Sequence, residues 1–181
     1  DIIHVNGVID PIDDIEIINL ELIYADLEVI DKRIPRVEKK ALLKSDKDAE
    51  EEYQLLVKLK EHLSNNIPCR DVDLTDEQKA LIKGFNFLTF KPMIYVLNVG
   101  EDELLEDNKY VLKVKEYFSE GTAKIVKISA RIEEELSELS DEDRLMFLED
   151  LDISESGLDI LIREAYSMLG LQTFFTAGEK E

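Results

Sequence analysis

Residues 92–101 read Pro-Met-Ile-Tyr-Val-Leu-Asn-Val-Gly-Glu, and residues 124–130 read Lys-Ile-Val-Lys-Ile-Ser-Ala. The continuous apolar run Pro92–Leu97 predicts a strand buried on both faces, since a sheet covered by helices on each side leaves no polar face to alternate with. Asn98-Val99-Gly100-Glu101 ends it. Lys124–Ile128 predicts a second short strand, closed by Ser129-Ala130. Between them, about 108–119, Tyr110, Val111, Val114, Tyr117 and Phe118 form the inner side of a helix that Gly121 is expected to cap. A strand, a helix and a strand at this spacing make a βαβ unit and hence a parallel α/β sheet. Two strands cannot form a stable doubly covered sheet, so its other strands are expected outside this chain.

Upstream the texture is helical. Residues 1–12 read as an extended lead-in ending in the turn Asp10-Pro11. Asp13, with Glu16 three residues on, then has the spacing of a helix N-cap. Leu20, Ile23, Leu27, Ile30, Ile34, Val37 and Ala41 recur at alternating spacings of three and four. A second row, Ile15, Ile18, Leu22, Ala25 and Val29, runs beside the first. One row makes a coiled-coil seam; two rows mean that the helix base packs on two sides. A helix over about 14–44 is about 45 Å long at 1.5 Å per residue. Pro35 is expected to kink it. Ser45-Asp46-Lys47-Asp48 reads as the tip. A return helix over about 48–64 turns Tyr53, Leu56, Leu59 and Leu63 inward, and Asn65-Asn66 with Pro68 ends it. The pair is an antiparallel helical hairpin. Beyond it, Thr75-Asp76-Glu77-Gln78 is a capping-box signature, and further helices are expected near 132–139, 141–148 and 156–169.

Composition narrows the function classes. The 181 residues hold 22 Lys and Arg against 42 Asp and Glu, a net charge of −20. Such a surface cannot coat nucleic acid as a whole; only a local basic patch can. The single Cys69 excludes an internal disulfide, and two histidines leave little for a His-based centre. No apolar run reaches the ~20 residues that span a bilayer. With 44% apolar residues a real core is affordable, and the expectation is a soluble, cytoplasmic, helix-rich piece of a larger chain.

In open α/β folds, ligands bind beyond the carboxyl ends of strands. Here those ends carry Asn98-x-x-Glu101 and, about thirty residues on, Ser129-Ala130-Arg131. An Asn, two residues and an acid, followed by Ser-Ala, is the base-recognition pair of P-loop GTPases. The Asn amide meets purine N7 and an exocyclic group, and the Ser-Ala turn offers backbone N–H groups to the base edge. The acid is normally Asp, whose two oxygens accept from guanine N1–H and the 2-amino group. Glu101 is longer and does not fit that edge as a fork, so guanine preference should weaken and adenine be allowed. The bland alternative is an ordinary polar strand-to-helix turn.

With these residues the chain resembles the Obg-like ATPases, the YchF branch of the P-loop NTPases. The resemblance covers nearly all of the sequence: Asp1-Ile2-Ile3-His4-Val5, the run Pro11 to Ala25, Asn98-x-x-Glu101, and Leu169 to Gly178 as an exit towards a C-terminal TGS domain. It implies a Rossmann-like G domain with a coiled-coil insertion. By the same resemblance, residues 1–12 lead in from the G domain, 13–68 are the insertion, and 69–181 are the C-terminal half of the G domain. It implies hydrolysis of ATP, preferred over GTP, with Mg²⁺ accompanying the nucleotide, and association with ribosomes. Asn98, Val99 (through its backbone), Glu101, Ser129 and Ala130 would form the base pocket. Neither Gly-x-x-x-x-Gly-Lys-[Ser/Thr] nor Asp-x-x-Gly occurs in the sequence, so the phosphate-binding half is expected outside it and these residues alone should hydrolyse nothing.

A second candidate is the hairpin tip. Lys32, Arg33, Arg36, Lys39, Lys40, Lys44 and Lys47 face only Glu38 and Asp46 over sixteen residues. Such a cluster can contact phosphates of RNA or a ribosome, although without interleaved aromatics it has no stacking platform. The alternative is a solvated face balanced by Glu50, Glu51 and Glu52. The rival function is thus a non-enzymatic RNA- or ribosome-binding module. Twelve acids between Glu133 and Asp159 lack the spacing of a calcium loop and read as a solvated surface. His4 reads as a structural histidine and Cys69 as an inert thiol.

Overall fold

A computed structural model describes residues 9–42, 46–119 and 123–172. The chain divides into two units, one of Ile12–Pro92 and one of Asp1–Pro11 with Met93–Glu181.

The helical unit is built on α1 (Pro11–Leu42) and α2 (Lys47–Ser64). Helix α1 begins three residues before the expected start. Pro11 is its first residue rather than the end of a turn, and Asp13 and Asp14 lie in the first turn. A proline there forfeits no hydrogen bond, because the first helical N–H groups have no partner in the helix anyway. The helix runs 32 residues, about 48 Å, and Pro35 sits inside it without ending it. Ile23, Ile30, Val37 and Ala41 of the first apolar row are buried, with Leu20, Leu27 and Ile34 partly so. In the second row Ile18 and Val29 stay 50% and 40% exposed, so that side of the helix base is not packed as the two rows predicted. Asp46 caps α2, its Oδ1 accepting from Ala49 N–H at 3.1 Å. Leu55, Leu56, Leu59 and Leu63 meet the α1 row in one core.

That core continues past Pro68. Cys69, Val72, Leu74, Ile82 and Phe87 belong to it, so the helical unit extends to Pro92 where the sequence suggested a change at 68/69. The segment is held by polar groups that the apolar pattern does not show. Asp26 of α1, 2% exposed, accepts from the backbone N–H groups of Leu88 at 2.8 Å and Thr89 at 2.7 Å. Thr89 Oγ1 accepts in turn from Cys69 N–H at 3.1 Å. Between them lies α3 (Asp76–Lys83), opened by the reciprocal Thr75–Gln78 capping box.

The α/β unit carries β1 (Ile94–Asn98), α4 (Lys109–Tyr117), β2 (Lys124–Ile128), α5 (Ala130–Ser137), α6 (Asp141–Asp150) and α7 (Gly157–Met168). The strands are parallel, from Ile94 opposite Lys124 to Asn98 opposite Ile128. Tyr95 packs on Phe118 beyond α4, with ring centroids 4.3 Å apart. On the alternate face α7 approaches β2 so closely that Gly157 has no room for a Cβ: it would lie 2.9 Å from Ile128 Cγ1. Val96 of β1 is 43% exposed, a departure from the expected burial on both faces, because the helix on that side packs on β2. The expected roles of Gly121 and His4, the lead-in Ile2–Val5, the residues 173–178 and Lys44 lie outside the described residues.

Candidate nucleotide-base site

Parallel pairing in this register brings the two strand ends together. Asn98 is the last residue of β1, and the ladder carries on one step, Val99 N–H donating to Ile128 O at 2.9 Å. The Asn98 side chain then crosses to the other strand's exit, where its Oδ1 accepts from Ala130 N–H at 3.0 Å. The bond spans 32 residues and joins the two motifs. It also orients the amide. A backbone donor at Ala130 requires the side-chain oxygen there, which turns Nδ2 the other way as a donor. This corrects one detail of the sequence reading: the Ala130 N–H serves Asn98 rather than a ligand. Val99 is buried, and with its N–H taken by Ile128 its remaining backbone group is the carbonyl. Ser129 is 2% exposed, and its carbonyl accepts from Glu133 N–H to open α5.

Glu101 is exposed and begins a 3₁₀ turn, Glu101–Glu103. The turn is held from its ends. Glu103 Oε2 accepts from Gly100 N–H at 3.0 Å, while Glu103 N–H donates to Gly100 O at 3.1 Å. Lys127 of β2 donates to the Glu103 carbonyl at 3.3 Å and pairs with Asp107 at 2.8 Å. Lys115 of α4 pairs with the same Asp107. Hydrogen bonds from Asn108 and from the Gly100 backbone hold the Glu103 carboxyl below its usual range. Lys115 and Lys127 do the same for Asp107. The sequence reading missed Glu103, Asp107 and Lys127. Two signals were present: an acid three residues after Gly100, and a lysine set between the apolar Val126 and Ile128 of the strand.

The helical unit carries the second candidate. Arg33 donates to both carboxylate oxygens of Glu52 across the hairpin, at 2.5 and 3.0 Å, and lies over the Phe85 ring. That pairing raises its already high pKa. Arg33 is therefore a tie between helices rather than a free cation. Lys32 pairs with Glu28 one turn away, and Lys47 with Glu51. Among the described residues Arg36, Lys39 and Lys40 are exposed and enter no ion pair, and their spacing puts them on one face.

No family model matches the chain. Individual proteins do. A ribosome-binding ATPase YchF of Bacillus subtilis is 52% identical over 182 residues, covering 99% of this chain and 50% of that protein. One from Haemophilus influenzae is 45% identical over 181 residues, covering all of this chain and 49% of that protein. Along these residues the chain belongs to the YchF family. It spans about half the length of the curated relatives it matches. The solved YchF GTPase of Schizosaccharomyces pombe superposes with a TM-score of 0.83 at 30% identity, over 98% of this chain and 49% of that one. The parallel strand pair and the hairpin are thus features of a YchF fold, and the α/β class expected from the sequence holds.

Proposed function

We propose that the chain supplies the base-recognition part of a nucleoside-triphosphate hydrolase that works with ribosomes. The observation that carries this is the Asn98–Ala130 hydrogen bond, which fuses two polar strand ends into one rim at the carboxyl edge of a parallel sheet. The names of the YchF relatives, ribosome-binding ATPase and GTPase, agree with it. Asn98 Nδ2 donates to purine N7, which adenine and guanine share. The Val99 carbonyl is an acceptor suited to the adenine 6-amino group. Ser129 and Ala130 close the rim. Glu101 decides between bases: an Asp here would fork onto guanine N1–H and the 2-amino group, whereas the longer carboxylate overshoots, which favours ATP.

None of these residues breaks a bond. Their share is to orient the base so that the triphosphate lies where the hydrolytic groups act. Mg²⁺ accompanies triphosphates in such enzymes, where phosphate oxygens and one or two side chains hold it; the described residues contain no group of three or more His, Cys, Asp or Glu that could hold a metal ion without the nucleotide. No step of the reading passes through a metal ligand of this chain. Among the described residues, no helix is long and apolar enough to cross a membrane. A cytoplasmic protein is proposed from the ribosome-binding names.

The test is titration of ATP and GTP against the protein at its natural length and its Glu101→Asp variant. Preference for ATP in the parent and a gain in GTP affinity in the variant support the reading; absence of binding by either nucleotide overturns it. The face formed by Arg36, Lys39 and Lys40 favours a second element, contact with ribosomal RNA phosphates. Replacing all three by Glu should abolish ribosome co-sedimentation while nucleotide hydrolysis persists. Unchanged co-sedimentation removes the tip from the account.

A further inference from the structure

We infer that Lys127 is a positioning residue for base selection: it fixes the turn that aims Glu101. The inference rests on the base-site reading and adds a specificity residue that makes no contact with the ligand.

Glu101 is exposed at the start of its turn, so its own side chain does not set where its carboxylate goes. The direction comes from the backbone at Gly100–Glu103, and that backbone is held from outside. Lys127 projects from β2 on the same face as Leu97, its partner in the register, and its side chain is only 19% exposed. Its ammonium reaches two acceptors in the loop after the Asn98 motif, the Glu103 carbonyl at 3.3 Å and Asp107 Oδ1 at 2.8 Å. Glu103 passes the restraint on, since its carboxylate holds Gly100 N–H, the residue just before Glu101. Thus one cation ties two points of the loop after Asn98, the end of the Glu101–Glu103 turn and Asp107, to the strand that leads into Ser129 and Ala130. It also keeps Glu101 in a fixed relation to Asn98, which is tied to the same strand end.

A compact ammonium with three donors can serve a carbonyl and a carboxylate at once, and a neutral side chain of the same length can serve neither. Without it the turn keeps its Glu103–Gly100 bond but is free to shift against β2. Glu101 would then sample positions from which it no longer distinguishes the two purine edges. Contacts to the shared N7 and to the phosphates would be untouched. The signature is therefore a change in the ratio of two affinities, which mere loss of stability does not produce.

The experiment measures ATP, GTP and inorganic tripolyphosphate affinity, each with Mg²⁺, for the protein at natural length and for Lys127→Met, Lys127→Arg, Glu103→Ala and Asn98→Ala. The inference expects the ATP/GTP ratio to fall several-fold towards one in Lys127→Met, with tripolyphosphate binding unchanged and the ratio partly restored in Lys127→Arg. If Lys127→Met does not fold, Glu103→Ala decides, because it removes the acceptor through which the restraint reaches Gly100, and the same fall is expected there. A ratio unchanged in a folded Lys127→Met, or in Glu103→Ala where that variant decides, overturns the inference, as does a wild-type ratio near one. Asn98→Ala separates the two levels. If it leaves both nucleotide affinities unaltered, the base-site reading itself fails. If it weakens both while Lys127→Met keeps the wild-type ratio, only the role of Lys127 fails.

Discussion

Asn98 Oδ1 accepts the backbone N–H of Ala130 at 3.0 Å, so one side chain joins the exits of two strands that are 32 residues apart in the chain. The amide has a structural end and a free end, and substitutions can separate them. Asn98→Asp keeps an oxygen for Ala130 but replaces the outward donor by a carboxylate facing purine N7. Asn98→Ala removes both.

The expected outcome is that Asn98→Asp unfolds within a few degrees of wild type yet loses nucleotide affinity by about 1–3 kcal/mol, the usual range for a lost hydrogen bond whose partner stays desolvated. That is about five-fold to 150-fold in Kd. Asn98→Ala should lose affinity and stability together. Calorimetric titration with thermal unfolding of the same samples reads both. Equal affinity in wild type and Asn98→Asp would mean that the free end of the amide meets no base.

Gly157 gives a packing prediction at the same strand end. A Cβ there would sit 2.9 Å from Ile128 Cγ1 and 3.1 Å from Ile128 Cα. The second of these is backbone, so a rotamer change of Ile128 cannot relieve it. Gly157→Ala should destabilise the protein by ~1–3 kcal/mol, the range for overpacking. Because Ile128 precedes Ser129, weaker nucleotide binding should accompany it. Urea denaturation supplies the first number and titration the second.

How much of this was legible in the sequence varies with the kind of force involved. The hairpin was readable because Ile23, Ile30, Val37, Leu56, Leu59 and Leu63 recur at helical spacing, and burial of such rows depends on local periodicity alone. Strand β2 was readable to the residue, since Lys124–Ile128 is bounded by turn chemistry on its C-terminal side. The limit of the helical unit at Pro92 was not, because Asp26 reaches Leu88 and Thr89 across more than sixty residues by polar bonds that leave no periodic trace. For Arg33 the sequence left two readings, a phosphate-binding cluster and a face balanced by Glu50, Glu51 and Glu52, and only the packing of the hairpin singles out Glu52 as its partner. The residues proposed for the base site were read as motifs, whereas the residues that hold the loop after Asn98, namely Glu103, Asp107 and Lys127, became visible only when register set β2 beside it.

Asp26 itself is testable. Its two oxygens satisfy two backbone donors in a buried setting, so Asp26→Ala leaves both N–H groups without an acceptor. At about 1–3 kcal/mol for each orphaned buried donor, part of it relieved by water entry, a loss of roughly 2–4 kcal/mol is expected. Asp26→Asn should cost less, since one oxygen remains. Cys69 reports on the same region independently. Burial pushes its thiol pKa up, and its backbone N–H is held by Thr89. Alkylation of Cys69 should be negligible in the native wild type and measurable in Asp26→Ala under native conditions. Equal labelling rates in the two proteins would show that Asp26 does not hold this segment down.

The loop that carries Glu101 should loosen in acid, and the direction follows from its carboxylates. Glu103 and Asp107 are both held below their ordinary values, the first by Asn108 and the Gly100 N–H, the second by Lys115 and Lys127. A group with a lowered folded-state pKa stabilises the fold above its unfolded value and loses that contribution as pH falls through the folded value. With unfolded values of about 3.9 for Asp and 4.3 for Glu, the contribution is complete at neutral pH and disappears below about pH 4. The Gly100 amide proton, bonded to Glu103 Oε2, is the local reporter. Its NMR shift should titrate with a midpoint below about 4.3, the ordinary Glu value. In Lys127→Met the Asp107 midpoint should rise, because one of its two ammonium partners is gone, while the Glu103 midpoint keeps its Asn108 and Gly100 partners and stays low. A Glu103 midpoint at or above the ordinary value would show that Gly100 is not held by this carboxylate in solution, and the fixed placement of Glu101 would go with it.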